Sequence, residues 1–193
     1  MNRESKNSET RLKQMVHYIC AKCDDPRKLG ATKLNKVLWY ADTISFRVSK
    51  DHSTISGATS YLKQKFGPVP KKIQSAITQL SKEKSIYVRD VDFFGKTKRE
   101  YISLTAPEED VFNEQERQIL DAAIEFVCDG HTAVSISEMT HDIVWEAAQM
   151  GEEIPVFAVL AATAGEVTKD HKSWADKLIN ARHSPDSSRR KAA

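Results

Sequence analysis

The segment from Ile55 to Pro70, ISGATSYLKQKFGPVP, constrains the fold more than any other part of the chain. Its two prolines exclude a continuous helix, because a proline inside a helix removes a backbone hydrogen bond and clashes with the preceding turn. The pattern predicts a short strand near Gly57 that ends at Gly67 and Pro68. Its strand-like residues are Ile55, Ala58 and Tyr61. Pro70 then suits the first turn of a third helix, where its missing N–H is not needed.

Helical periodicity dominates the rest of the chain. A first helix is predicted from about Ser8 to Ala21, and a second helix is predicted to follow an N-cap at Thr32. Two β-type runs, residues 85–94 and 99–104, predict a hairpin joined by GKTK, and Asn113 with Glu116 forms a capping-box pattern. The fold class is therefore mainly α with a small antiparallel β-sheet or hairpin (α+β), partly winged-helix-like.

The 193 residues suit one domain. We expect a flexible N-terminus over residues 1–8, a single domain over residues 9–182 and a disordered basic tail over residues 183–193, since HSPDSSRRKAA offers no apolar anchor. No apolar run reaches the roughly 18 residues of a membrane span, and three cysteines cannot all pair. These features predict a reduced, cytoplasmic protein with no membrane partner.

The net charge of +2 hides an uneven distribution. Residues 1–107 hold 21 Lys and Arg against 10 Asp and Glu, a net charge of +11. Residues 108–153 hold one Arg against 13 acidic residues, a net charge of −12. The two regions either pair with each other, face two different partners or form solvated helix faces.

The sequence gives little support for catalysis or for a metal site. His17, Cys20, Cys23, Cys128 and His131 have spacings that a zinc tetrad could use, but Cys20 falls on an apolar helix face and no ligand-presenting loops flank the set. No glycine-rich phosphate loop is present, and no nucleophile is tied to a base. We therefore predict neither an enzyme nor a cofactor.

Nucleic acid is a second candidate partner. Lysines cluster around the third helix, and a GKTKR sequence marks the hairpin tip, which would suit phosphate contacts. The clustered residues are Lys63, Lys65, Lys71, Lys72, Lys82 and Lys84. The region is poor in the Arg, Asn and Gln that read base edges, so a solubilising basic face explains it equally well.

Two specific motifs and a looser third one stand out in the chain. The first motif comprises Leu34, Asn35, Lys36, Tyr40, Ala41 and Asp42. The second comprises Ile55, Gly57, Ala58, Gly67, Pro68, Val69 and Pro70. The third comprises Thr140, His141 and Trp145, followed by Gly151 and Ile154. Together they resemble the Panacea domain of SocA-like antitoxins, over roughly residues 9–165. The aromatic residue that follows Gly-Ala in the family is displaced here to Tyr61, which affects the register of the strand.

The resemblance implies a bacterial or phage type II antitoxin that neutralises a toxin, usually encoded by the adjacent gene, through direct protein–protein binding. It implies no catalytic residue. The candidate partner-binding positions are the motif residues Leu34, Asn35, Lys36, Tyr40, Asp42, Gly57, Ala58, Tyr61, Gly67, Pro68, Val69, Pro70, His141 and Trp145. Two alternatives remain, a winged-helix-like DNA-binding autorepressor acting on operator DNA and an adaptor that delivers the toxin to a protease.

Overall fold

The computed structural model describes residues 3–163, with side chains from residue 8 to residue 161. The helices are α1 (Arg3–Lys22), α2 (Ala31–Val48), α3 (Ile73–Lys82), α4 (Glu114–Ile124), α5 (Ala133–Met139), α6 (Ile143–Ala147) and α7 (Val159–Thr163). The strands are β1 (Ser60–Gln64), β2 (Gly67–Pro70), β3 (Ile86–Phe93), β4 (Lys96–Ser103) and β5 (Glu153–Pro155). The chain is mainly helical with small antiparallel sheets, which confirms the predicted fold class.

Helix α2 lies at the centre of the fold. It packs against α1, α4 and α5 and against strand β2, and most of its side chains are buried. The prediction that Thr32 caps this helix is wrong. Gly30 is the N-cap, in an extended conformation, and its carbonyl accepts the first intrahelical bond from Leu34 N at 2.9 Å. The helix thus begins two residues before the position that the side-chain signal indicated.

The apolar positions that helical periodicity predicts in the other helices are largely buried. Helix α1 packs against α3 as well as α2, and its buried residues include Met15, Val16 and Ile19. Helix α4 begins at the capping box of Asn113 and Glu116, as predicted, and continues into a π-helical turn, Glu125–Asp129, that ends at Gly130. Two short helices, α5 and α6, follow this turn.

The GPVP sequence is a strand, so the prediction that it forms a turn leading into the third helix is wrong. Strand β2 pairs antiparallel with β1, and Pro68 lies opposite Lys63 while Pro70 lies opposite Tyr61. Strand β1 also pairs with β5, so the described sheet has the order β2-β1-β5 with β2 at an edge. Prolines are tolerated on an edge strand, because their missing N–H faces away from the ladder.

The predicted strand near Gly57 begins later than the sequence suggested, at Ser60. Residues 55–56 form a bend instead, which α2 holds in place. Strand β5 was not predicted, since Glu153–Pro155 is too short to show a periodic pattern.

Strands β3 and β4 form the predicted hairpin, but its turn is shorter than expected. Phe94 and Gly95 alone connect the strands, both with positive φ of 54° and 74°. This conformation is typical of a type I′ hairpin turn. The residues Lys96, Thr97 and Lys98 consequently belong to β4. Among the described strands, the hairpin pairs with no strand of the other sheet.

Several sequence predictions fall beyond residue 163. The end of the predicted domain, residues 164–182, and the basic tail at 183–193 lie outside the described residues. Helix α1 begins at Arg3, five residues before the predicted start, and the flexibility expected for residues 1–8 stays a prediction. Within residues 3–163, no helix has both the length and the apolar character that a membrane span requires.

Replacing Gly67 with alanine tests how closely β2 approaches α2. Gly67 has a φ of +106°, and an added Cβ would collide with the Lys36 ammonium and lie 2.6 Å from Thr140 Oγ1. Backbone strain and overpacking together predict a loss of about 3 kcal/mol in the free energy of unfolding. Urea denaturation followed by tryptophan fluorescence measures this loss.

The matched control is Gly151→Ala. Gly151 has a φ of +82° but open space around the added Cβ, so only backbone strain of about 1 kcal/mol is expected. Equal losses for the two variants would contradict the proposed close packing of Gly67 against Lys36.

Candidate partner-binding site

Asp42 is the buried centre of the two strongest sequence motifs. Its carboxylate is completely buried and accepts hydrogen bonds from Ser56 N at 2.9 Å, from Ser56 Oγ and from the Tyr61 hydroxyl at 2.7 Å. Burial raises its pKa to about 6, although these donors favour the charged form. The carboxylate therefore fastens both the bend after Ile55 and strand β1 to α2.

Lys36 presents a buried cation beside strand β2. Its side chain is 1% exposed, and its Nζ has no hydrogen-bond partner among the described residues. Burial lowers its pKa to about 7. The neighbouring Asn35 has an unpaired buried Oδ1, so the start of the first motif carries two polar groups whose burial is not compensated within the described part of the chain.

His141 and Trp145 stack on each other near Lys36. Their rings lie 3.7 Å apart with an interplanar angle of 12°, and Lys63 Nζ lies 3.9 Å from the centre of the Trp145 ring. Burial, together with the charges of Lys36 and Lys63, lowers the pKa of His141. The atoms His141 Nε2 and Trp145 Nε1 are also buried without a partner among residues 8–161. The three sequence motifs thus meet in one cluster around α2.

The remaining motif residues divide into buried and partly exposed positions. Leu34, Tyr61, Gly67, Pro68 and Pro70 are buried. Tyr40, Ala58 and Val69 are partly exposed and Gly57 is exposed. Tyr40 packs edge-on against Phe126 at 5.3 Å, and Tyr61 packs against Trp39 at 5.0 Å. Most of these side chains therefore serve internal packing.

The residues considered for zinc do not converge on one point in the described part of the chain, although Cys23 and Cys128 contact each other. His17 Nε2 lies 3.2 Å from the carbonyl of Thr105, and His131 packs against Phe126. The Cys128 thiol donates a hydrogen bond to the Cys23 sulfur, which lowers the pKa of Cys23 and raises that of Cys128. No group of three or more potential ligands occurs among the described residues.

A groove of about 1030 Å³ lies between the β3–β4 hairpin and α5. Its floor and walls also include the start of α2 and the turn between β1 and β2. The cations around it are Arg27, Lys28, Lys33, Lys65, Lys96, Lys98 and Arg99, whereas Glu138 is its one acidic residue. Exposed apolar side chains share the lining, namely Phe66, Phe93 and Val134. We call this surface the basic groove.

The basic groove only partly coincides with the lysines that the sequence singled out. Lys65 and the hairpin lysines line it, and so does His141 from the third motif. Lys71 and Lys72 instead pair with Glu153 and Glu9. Sequence reasoning missed the groove because its walls come from four separated stretches of chain, and only the local concentration of lysine near the hairpin hinted at it.

Comparison with protein families gives one match. The model of the Antitoxin SocA-like, Panacea domain family matches residues 34–146, more than half of the chain. This range begins with the Leu34 motif and ends just beyond Trp145, so it contains all three clustered motifs. Comparison with curated proteins and with solved structures gave no significant match.

Replacing Asp42 with alanine tests its structural role. The change leaves the buried Ser56 N–H and the Tyr61 hydroxyl without their acceptor, and unmet buried donors of this kind cost about 3 kcal/mol of folding free energy together. Urea denaturation measures the loss. The control Asp24→Ala, at an exposed position, is expected to change stability by less than about 0.5 kcal/mol. A loss for Asp42→Ala no larger than that of the control would contradict the proposed fastening role.

Replacing Lys36 with methionine is expected to stabilise the protein by about 2 kcal/mol at pH 7, because it removes a buried cation that lacks a partner. The pH dependence gives a second test. The folded pKa is about 7, below the roughly 10.4 of an unfolded lysine, so the unfolded state binds more protons between these values. Wild-type stability therefore rises with pH across this window.

The Lys36→Met variant should lack that part of the rise, which urea denaturation at a series of pH values would measure as the difference between the two proteins. A destabilised variant at pH 7 would instead show that the ammonium has a structural partner.

Proposed function

The chain belongs to the SocA-like antitoxin family with a Panacea domain, and on this premise we propose that it is the antitoxin of a type II toxin–antitoxin system. It neutralises a cognate toxin by direct binding and has no catalytic role of its own. The family match over residues 34–146 carries this proposal. The toxin is proposed to be the product of the adjacent gene, and the complex to form in the cytoplasm.

The burial of several motif residues supports assigning them to the stability of the fold and not to contact with the toxin. Asp42, Tyr61 and Gly67 lie inside the protein, where a toxin has no access to them without unfolding. We therefore assign these residues to the scaffold that holds the binding surface in shape. A rigid surface favours tight binding, because less conformational entropy is lost when the complex forms.

Co-expression with the product of the adjacent gene tests the proposal. The expected result is that cells expressing the toxin alone stop growing, that cells expressing both proteins grow, and that affinity-tagged antitoxin retains the toxin on a column. Toxin levels in the rescued cells distinguish binding from delivery to a protease, since binding alone leaves the toxin intact.

The control is Asp24→Ala, which alters an exposed side chain and should rescue growth as well as the wild type does. Full toxicity in the presence of the wild-type protein, with no complex on the column, would show that the proposed function is wrong.

A further inference from the structure

The basic groove has an excess of positive charge that its own surroundings do not neutralise. Most of its cations have acidic or carbonyl partners within the protein: Arg27 with Asp25, Lys28 with Asp129, Lys98 with Glu100, Arg99 with Asp90 and Lys33 with the Cys128 carbonyl. Lys65 and Lys96 have no acidic partner among the described residues. Unpaired cations in a concave site raise the local concentration of anionic groups.

The start of α2 adds to this positive field. Gly30 caps the helix without a side-chain hydrogen bond, and the first turn contains no acidic residue that would offset the helix dipole. Gly30, Ala31 and Thr32 all line the groove. The positive end of the central helix therefore faces the same space as Lys65 and Lys96.

Large apolar side chains accompany these charges. Phe66 is 58% exposed, Phe93 is 53% exposed and Val134 is 68% exposed, and all three line the groove. Exposed apolar residues are ordinary when scattered, but several around one concavity are typical of a binding site. Two of them lie beneath cations, with Lys65 Nζ 5.5 Å from the Phe66 ring and Lys98 Nζ 5.4 Å from the Phe93 ring.

The groove is held in shape on the side of Phe66. Ser137 Oγ donates a hydrogen bond of 2.8 Å to the Phe66 carbonyl, which links the β1–β2 turn to α5. The adjacent Gly67 is packed against Lys36. The Phe66 ring is thus presented from a fixed backbone, as suits an apolar anchor.

We propose that the basic groove binds an acidic polypeptide segment of the partner, in which carboxylates contact Lys65 and Lys96 and apolar side chains pack on Phe66 and Phe93. This inference rests on the proposed function, because it takes the toxin as the protein that supplies the segment. The volume of about 1030 Å³ is at the upper end of the range for ligand pockets, which leaves room for several side chains.

The lining favours a polypeptide over nucleic acid. Its two arginines, Arg27 and Arg99, are engaged by Asp25 and Asp90, and the lining contains no Asn or Gln to read base edges. An acidic segment with apolar side chains matches both the free lysines and the exposed phenylalanines.

The test compares two doubly charge-reversed variants of the full chain. Lys65→Glu with Lys96→Glu changes the groove, whereas Lys50→Glu with Lys82→Glu makes the same change in net charge at exposed positions outside its lining. Thermal denaturation first establishes that both variants fold. The dissociation constant for the toxin retained in the co-expression experiment is then measured by isothermal titration calorimetry.

The groove variant is expected to bind the toxin at least about tenfold more weakly, and the control variant to bind within about twofold of the wild type. Equal affinities for the two variants would overturn the groove assignment and leave the antitoxin function intact. Neutralisation by the wild type reports on the proposed function separately, so the two ideas fail independently.

Two further probes complete the design. A fluorescein-labelled synthetic peptide of alternating Glu and Leu should bind the wild type at low salt, and the groove variant should bind it at least about tenfold more weakly. The peptide experiment applies even if no toxin is retained, and absence of wild-type peptide binding would overturn the inference.

A short labelled DNA duplex tests the alternative ligand. If the duplex binds the wild type, loses affinity in the groove variant and is displaced by the peptide, the groove is assigned to nucleic acid instead.

Discussion

The rest of the fold depends on the hydrogen bonds that the buried carboxylate of Asp42 accepts from the bend after Ile55 and from strand β1. A fully buried carboxylate is costly, and its burial is sustained only when donors surround it. Here Ser56 belongs to the irregular segment that connects α2 to the sheet, and Tyr61 belongs to strand β1. The irregular segment has few apolar side chains of its own, so hydrogen bonds hold much of its path. Asp42 holds Ser56, Ser45 Oγ donates to the Ser53 carbonyl at 3.0 Å, and Arg11 Nε donates to the Ile55 carbonyl at 2.7 Å.

The same helix also contains Lys36, whose buried ammonium has no partner in the described part of the chain. The two charged residues differ in an instructive way. Asp42 has donors that offset its burial, whereas burial alone accounts for the lowered pKa of Lys36. Proteins retain polar groups at the expense of stability chiefly where those groups serve a role other than folding. Lys36 lies near His141 and Trp145, each of which has a buried ring nitrogen without a hydrogen-bond partner among the described residues, and His141 lines the groove.

The sequence predicted best those features that short-range chemistry determines. The capping box at Asn113 and the β3–β4 hairpin depend on residues close together in the chain, and both are confirmed. The GPVP sequence was misread because proline signals a turn or a helix start as readily as an edge strand, and only the pairing with β1 distinguishes these. The burial of the motif residues was likewise not predictable from the sequence. It results from tertiary packing, because α2 is enclosed on most sides and helical periodicity does not indicate this.

The basic groove could not be predicted, because it exists only once the hairpin, α5 and the start of α2 are assembled. One of its connections to the buried motif residues is the peptide bond between Phe66 and Gly67. Phe66 is largely exposed in the groove, while Gly67, the next residue, is buried against Lys36 and begins β2. A disturbance of the buried motif is therefore expected to displace a side chain that lines the groove. Through this adjacency, buried residues that no partner can reach would affect binding at the proposed site.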